Sequence, residues 1–276
     1  FFIDESQRVT LKDIGSIEEI QKYIGLANAE SELMELESQF RCNGSDGYIA
    51  WLDDVLDIRK TANSDGFDLD YDIRVCDTPN EVRDLIFEKN KTNNKARLLA
   101  GYCWDWIADG KNKSDVYDIT IPEFNFAMSW NLGNSTTWAI DPNSVSEIGC
   151  IHTAQGLEFD YVGVIIGNDL RYENSKIVTD VKERAKTDQS IKGINKLSQE
   201  NHEKADKIAD EIIKNTYRTL MTRGQKGCYI YCTDKNLSNY LKKRLNQKDE
   251  ITYSIDEEVK TNNMMVAEDS EEYKYE

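Results

Sequence analysis

An α/β fold with a mostly parallel sheet flanked by helices is the prediction for this 276-residue chain, on three observations. Short apolar segments alternate with stretches of helical periodicity. Several of those segments, YVGVII at 161–166 above all, are apolar at every position, as strands buried on both faces are. Polar clusters stand at the ends of the apolar segments, where the loops of a covered sheet belong.

Taken in order, strands are expected at FFIDE (1–5), LMELE (33–37), YDIRVC (71–76), RLLAGYC (97–103), TWAI (137–140), IGCIH (148–152), YVGVII (161–166) and CYIYCT (228–233). A helix starts at Gly44-Ser45-Asp46, with Ile49, Leu52, Val55 and Leu56 at helical spacing. Pro79-Asn80-Glu81 opens another, with Val82, Leu85 and Ile86 on one face. The clearest runs from about Ala205 to Arg223. Its stripe is Ile208, Ala209, Ile212, Ile213, Thr216 and Leu220, and Gly224 is expected to end it. A last helix is expected near Asn236 to Leu245. Asn63 to Asp70 reads as a loop. Arg171 to Lys204 is polar and poor in large apolar residues, and reads as an insertion or a mobile excursion.

Composition narrows the function classes. Charged residues make up 31% of the chain and the mean hydropathy is -0.65, so the expectation is an ordinary globular protein. No window approaches the roughly 18 consecutive apolar residues of a membrane span. FFIDE lacks the basic start and cleavage site of a secretory signal. It reads as mid-domain sequence, with the expectation that an upstream portion precedes it. The six cysteines are scattered, which predicts reduced thiols and a cytoplasmic protein. Cys228 and Cys232 form one close pair without a second, so no metal site is assigned. The dispersed acids likewise do not suit a metal-dependent nuclease. A net charge of -17 opposes indiscriminate adhesion to nucleic acid, although a local positive groove remains compatible with it. Residues 248–276 carry ten acids against three lysines, the composition of a solvated or disordered tail.

Four polar clusters could carry chemistry: Asp4-Glu5-Ser6-Gln7, Gln39-Phe40-Arg41, His152 to Glu158, and Thr222-Arg223. Taken singly, each has a plain alternative. Acids after a strand cap turns, and an arginine at a helix end meets the last carbonyls. In order, however, "DESQ", "LESQFR", "HTAQGLEFDYVGVIIG" and "YRTLMTRGQKGCYIY" resemble the later motifs of superfamily 1 DNA/RNA helicases. More narrowly, "ELESQFRCNGSDGYIAWLD", "ARLLAGYCWDW" and "NTYRTLMTRGQKGCYIYCTD" resemble the Schlafen group 3-like DNA/RNA helicase domain family, over roughly residues 1 to 245.

The resemblance implies a RecA-like lobe of the P-loop NTPase type and a motor that uses ATP and Mg²⁺. Its partners would be DNA or RNA, single-stranded, and an N-terminal RecA-like lobe. Residues 1–30 would be a remnant of that first lobe and 31–247 the second, with 171–204 inserted. By similarity Arg41 and Arg223 would meet the triphosphate, a task that suits guanidinium groups. Gln7 would sense the γ-phosphate or the attacking water. Glu158 would face the nucleotide, and Gly156 would let backbone pass close to a ligand. Asp4-Glu5 has two readings, the Mg²⁺-binding acidic motif or the later D-x-x-Q sensor, and the short run to Gln39 favours the sensor. His152 and Thr153 would face nucleic acid, with Thr153 on a backbone phosphate. Trp104 is the candidate for base stacking, packing being the alternative for the tryptophans. The sequence departs from the family pattern in one respect. It contains no G-x-x-x-x-G-K-[ST] loop, and "ADGKNKS" (108–114) has no glycine cradle before it, so the chain alone is not expected to hydrolyse ATP.

Overall fold

The computed structural model describes residues 3, 7–13, 16–34, 42, 46–61, 71–107, 116–131 and 137–245. Among these, strands run in chain order as β1 (Asp72–Val75), β2 (Ala96–Ala100), β3 (Ile119–Ile121), β4 (Phe126–Trp130), β5 (Glu147–Gly149), β6 (Phe159–Ile166), β7 (Leu170–Glu173), β8 (Lys176–Thr179) and β9 (Gly224–Cys232). Helices are α1 (Ile17–Ala27), α2 (Asp46–Val55), α3 (Pro79–Asn93), α4 (Ile151–Ala154), α5 (Ile194–Glu200) and α6 (His202–Met221), followed by α7 over residues 235–245.

Seven strands form one sheet in the order β1-β9-β6-β2-β5-β4-β3, parallel throughout except for β3 against β4. The mixed α/β architecture and its flanking helices agree with a RecA-like fold. Side chains alternate between the two faces of a strand, and β6 divides its residues accordingly. Val162, Val164 and Ile166 join the core under α2 and α6, whereas Tyr161 and Ile165 join the core under α3. This is why the segment reads as apolar at every position. α3 lies so close that a Cβ on Gly163 would stand 2.6 Å from Val82 Cγ1, which leaves that position to glycine. Thr78 caps α3 by accepting from Glu81 N at 3.1 Å, and Pro79 follows at its first turn.

α6 departs from a one-sided amphipathic helix in its second half. Every residue from Ile212 to Met221 is buried, so each polar side chain there needs an internal partner. Asn215 donates to Arg8 O at 3.1 Å, Thr216 to Ile212 O at 2.7 Å, Lys214 to Asp57 O at 3.1 Å, and Tyr217 to Asp169.

Several expected elements differ. TWAI is a 3-10 residue and turn, held by buried Arg97, whose guanidinium donates to Trp138 O at 3.4 Å and to Ala139 O and Asp141 O at 3.0 Å. A buried cation collects carbonyls, and a loop supplies them where a paired strand does not. IGCIH is split, because β5 ends at Gly149 and α4 starts at Ile151. Gly224 opens β9 rather than ending α6, whose C-cap is Thr222. Leu33 and Met34 of LMELE are outside any strand and 78% exposed, and 35–37 lie outside the described residues. So does FFIDE apart from Ile3. β3 and β4 were not foreseen. The polar stretch 171–204 is built from most of the β7–β8 hairpin, α5 and a loop carrying buried charges.

Candidate functional site

The two most specific segments of the sequence, GLEFD and TRG, meet at the amino ends of β6 and β9. Phe159 N donates to Arg223 O at 2.9 Å, and the Arg223 guanidinium donates back through Nη1 to Leu157 O at 3.3 Å and through Nε to Thr219 O at 3.1 Å. Arg223 is 3% exposed, while Glu158 and Gly156 beside it are exposed. Gly156 has φ +81, a left-handed conformation that favours glycine, and faces open space. Neighbouring elements hold the same turn by its carbonyls. Tyr48 OH donates to Met221 O at 3.2 Å, Tyr71 OH to Gly224 O at 3.1 Å, and Cys42 Sγ to Thr222 O at 3.8 Å. Burial pushes the Tyr48 and Tyr71 hydroxyls well above their ordinary range, so both stay protonated donors.

His152 and Thr153 lie elsewhere, at the carboxyl ends of the central strands. Thr153 Oγ1 donates to Asn131 Oδ1 at 3.1 Å and lies 3.4 Å from Cys150 Sγ. His152 is exposed and stands edge-on to Tyr102 at 6.4 Å. Through β2, the register aligns Gly149 with Val164, five residues beyond Phe159. At about 3.3 Å per residue, the chain from β5 to β6 returns about 17 Å along the sheet. The polar cluster is therefore one segment serving two edges. His152 and Thr153 thus stand at carboxyl ends of strands, and Glu158 and Arg223 at amino ends.

Trp104 is half-buried, with Nε1 donating to Thr120 O at 3.3 Å and its carbonyl accepting from Trp130 Nε1 at 3.1 Å. That placement is packing against the β3–β4 side of the core. Gln7 lies in a short stretch fixed to α6 through Arg8 O. Asp4, Glu5 and Arg41 lie outside the described residues, and with them the pairing of Arg41 with Arg223. Cys42, next to Arg41 in sequence, touches Thr222.

Sequence reasoning missed the buried charges that frame both edges. Asp53 on α2 and Arg218 on α6 are 1% and 4% exposed and form an ion pair, and Arg59 adds Nε to Asp53 Oδ2 at 2.7 Å. An acid beside Leu52 on the apolar phase of α2 was the available signal. At the other edge, Arg184 donates to Asp188 at 2.5 Å, Asp169 at 3.1 Å and Ser190 Oγ at 3.1 Å, with Tyr217 also on Asp169. Burial opposes the Arg184 charge, yet the two carboxylates hold its pKa above the ordinary guanidinium value. Nothing local marked this cluster, whose members come from three separate stretches. Among the described residues, no group of three His, Cys, Asp or Glu is placed to hold a metal ion, and no helix is long and apolar enough to cross a membrane.

The chain is 25% identical over 221 residues to an uncharacterized protein of Saccharomyces cerevisiae, YPL245W, covering 75% of this chain and 47% of that protein. The chain thus spans about half the length of this relative. The sequence profile of the Schlafen group 3, DNA/RNA helicase domain matches residues 1–234, most of the chain, and the chain belongs to that family.

Proposed function

We propose that this chain is the second RecA-like lobe (31–247) of a superfamily 1 DNA/RNA helicase or translocase, with residues 1–30 a remnant of the first lobe. The 171–204 stretch is an insertion in this reading, and 248–276 an acidic tail. The observation that carries it is the mutual bonding of Arg223 with the Leu157–Phe159 turn, which sets a guanidinium beside exposed Glu158 and Gly156 at one sheet edge. Arg223 and Arg41 stabilise charge on the transferring γ-phosphate, and Gln7 orients the attacking water. Glu158 and Gly156 border the nucleotide, and Asp4-Glu5 serves as sensor or acidic motif. His152 and Thr153 hold a single strand of DNA or RNA at the other edge, Trp104 adding an aromatic wall.

Thr153 carries a specific chemical requirement. A phosphate only accepts, so the Thr153 hydroxyl must turn its proton from Asn131 to the strand. The described residues do not by themselves fit Mg²⁺, and with no Walker A loop in the sequence the ATP·Mg²⁺ cradle belongs to the partner lobe. When bound, ATP supplies the energy of translocation. The protein is cytoplasmic in this reading, with its cysteines as thiols.

The test is nucleic-acid-stimulated ATP hydrolysis by the parent protein that carries both lobes, with Arg223→Ala as the variant. The expected fall in kcat is about 10³-fold or more. Full turnover in the variant would defeat the assignment. A second reading, a docking module derived from such a lobe, is favoured by the net charge of -17 and the missing loop. A titration of the parent with ATP discriminates, because a docking module does not bind it.

A further inference from the structure

Residues on and flanking α2 meet residues on α6 and its C-cap in opposite order along the two segments. Cys42 meets Thr222, Tyr48 meets Met221, Asp53 meets Arg218, and Asp57 meets Lys214. Trp51, Leu52 and Val55 bury apolar surface on the same side. Apolar burial is non-directional, so on its own it specifies a register less sharply than paired charges do. Asp53 Oδ1 takes Arg218 Nε, Oδ2 takes Arg218 Nη2 at 3.4 Å and Arg59 Nε at 2.7 Å, and a slipped helix would strand a charge away from water. Arg218 stands five residues before Arg223 on the chain that turns into β9.

We propose that Asp53 and Arg218 are positioning residues. Their buried pair sets the register of α2 against α6, and so fixes where Arg223 and the Leu157–Phe159 turn stand. The pair contributes specificity of placement rather than net stability, because apolar replacement of a whole buried pair is often neutral or stabilising. The inference rests on the role given to Arg223 under Proposed function for its effect on turnover, but not for its effect on register.

The experiment compares wild type with the double variant Asp53→Leu, Arg218→Met, and with the swap Asp53→Arg, Arg218→Asp made together with Arg59→Ala, so that the relocated cation does not face a second guanidinium. Site-specific nitroxides at Asp46 on α2 and Lys207 on α6, both exposed, report the inter-helix distance. The wild type gives one narrow distance. The double variant melts at or above the wild-type temperature but gives a shifted or broadened distance. In the two-lobed parent its stimulated kcat falls about 10-fold or more, KM being unchanged, as small misplacements of catalytic groups do. The swap restores the narrow distance. Should the double variant fail to fold, the swap alone decides, a wild-type distance supporting the lock and a broad one overturning it. A folded double variant with the wild-type distance and kcat also overturns it. Absence of stimulated turnover in the wild type would instead strike the proposed function, while the distances still decide the register.

Discussion

The two edges of the sheet handle buried arginine in different ways. At the carboxyl edge Arg184 sits between Asp169 and Asp188, with both ion pairs at 0% side-chain exposure. At the amino edge Arg223 bonds the carbonyls of Thr219 and Leu157, and Arg218 takes the carboxylate of Asp53. A guanidinium enclosed by carboxylates is spent on structure. One resting on carbonyls has neutral acceptors and lacks the charge–charge attraction of a carboxylate, so a phosphate can replace them. In the proposed reading the Arg184 edge holds the fold and the Arg223 edge meets the phosphate.

The largest expected effect would break this comparison if it failed. Arg184→Ala strands two buried carboxylates and should cost about 3–5 kcal/mol in urea unfolding. Arg223→Ala removes the bonds to the Thr219 and Leu157 carbonyls, and should cost about 1–3 kcal/mol. Equal losses would contradict the division.

A smaller effect sharpens the carboxyl edge itself. Thr153→Val keeps the shape but removes the hydroxyl, leaving Asn131 Oδ1 without its donor. Affinity for a fluorescent single-stranded oligonucleotide should fall about 3- to 10-fold, the worth of one hydrogen bond. Unchanged affinity would mean that the strand lies elsewhere.

Gly156→Ala isolates backbone strain, because a Cβ there meets nothing within 4 Å. The left-handed φ of +81 alone should cost about 1 kcal/mol. The smallest effect is in acid. Burial alone would raise the Asp72 carboxyl, but hydrogen bonds from Tyr229 and Arg74 hold it below its ordinary value. Its contribution is therefore present above the ordinary carboxylate pKa and lost as pH falls through the depressed one. Asp72→Asn should lower stability at neutral pH and flatten that limb of an acid unfolding curve, the two proteins converging below the depressed pKa.

Much of the sheet was legible in sequence because β2, β6 and β9 are buried on both faces and carry few polar residues. Helices with explicit start signals, such as Pro79-Asn80-Glu81 at the head of α3, were legible for a similar local reason. TWAI was misread because an aromatic and two aliphatic residues can bury a loop as well as a strand, and the deciding partner, Arg97, is 41 residues away. The buried second half of α6 was hidden too, since Asn215, Arg218 and Thr219 look like a solvated face until their partners are in place. Of the candidate site, the resemblance implied that Glu158 and Arg223 serve one nucleotide, while the contact between the GLEFD and TRG segments comes from the fold. Its division between two edges was not legible, because the return from β5 to β6 depends on the β2 register.

The most direct test of the central claim is the structure of the two-lobed parent bound to nucleic acid and a γ-phosphate transition-state analogue. The expected result is the Arg223 guanidinium within about 3 Å of the phosphoryl oxygens, its bond to Leu157 O given up. Arg223 still bonded to Leu157 O and Thr219 O, with the analogue bound and other groups on its oxygens, would contradict it.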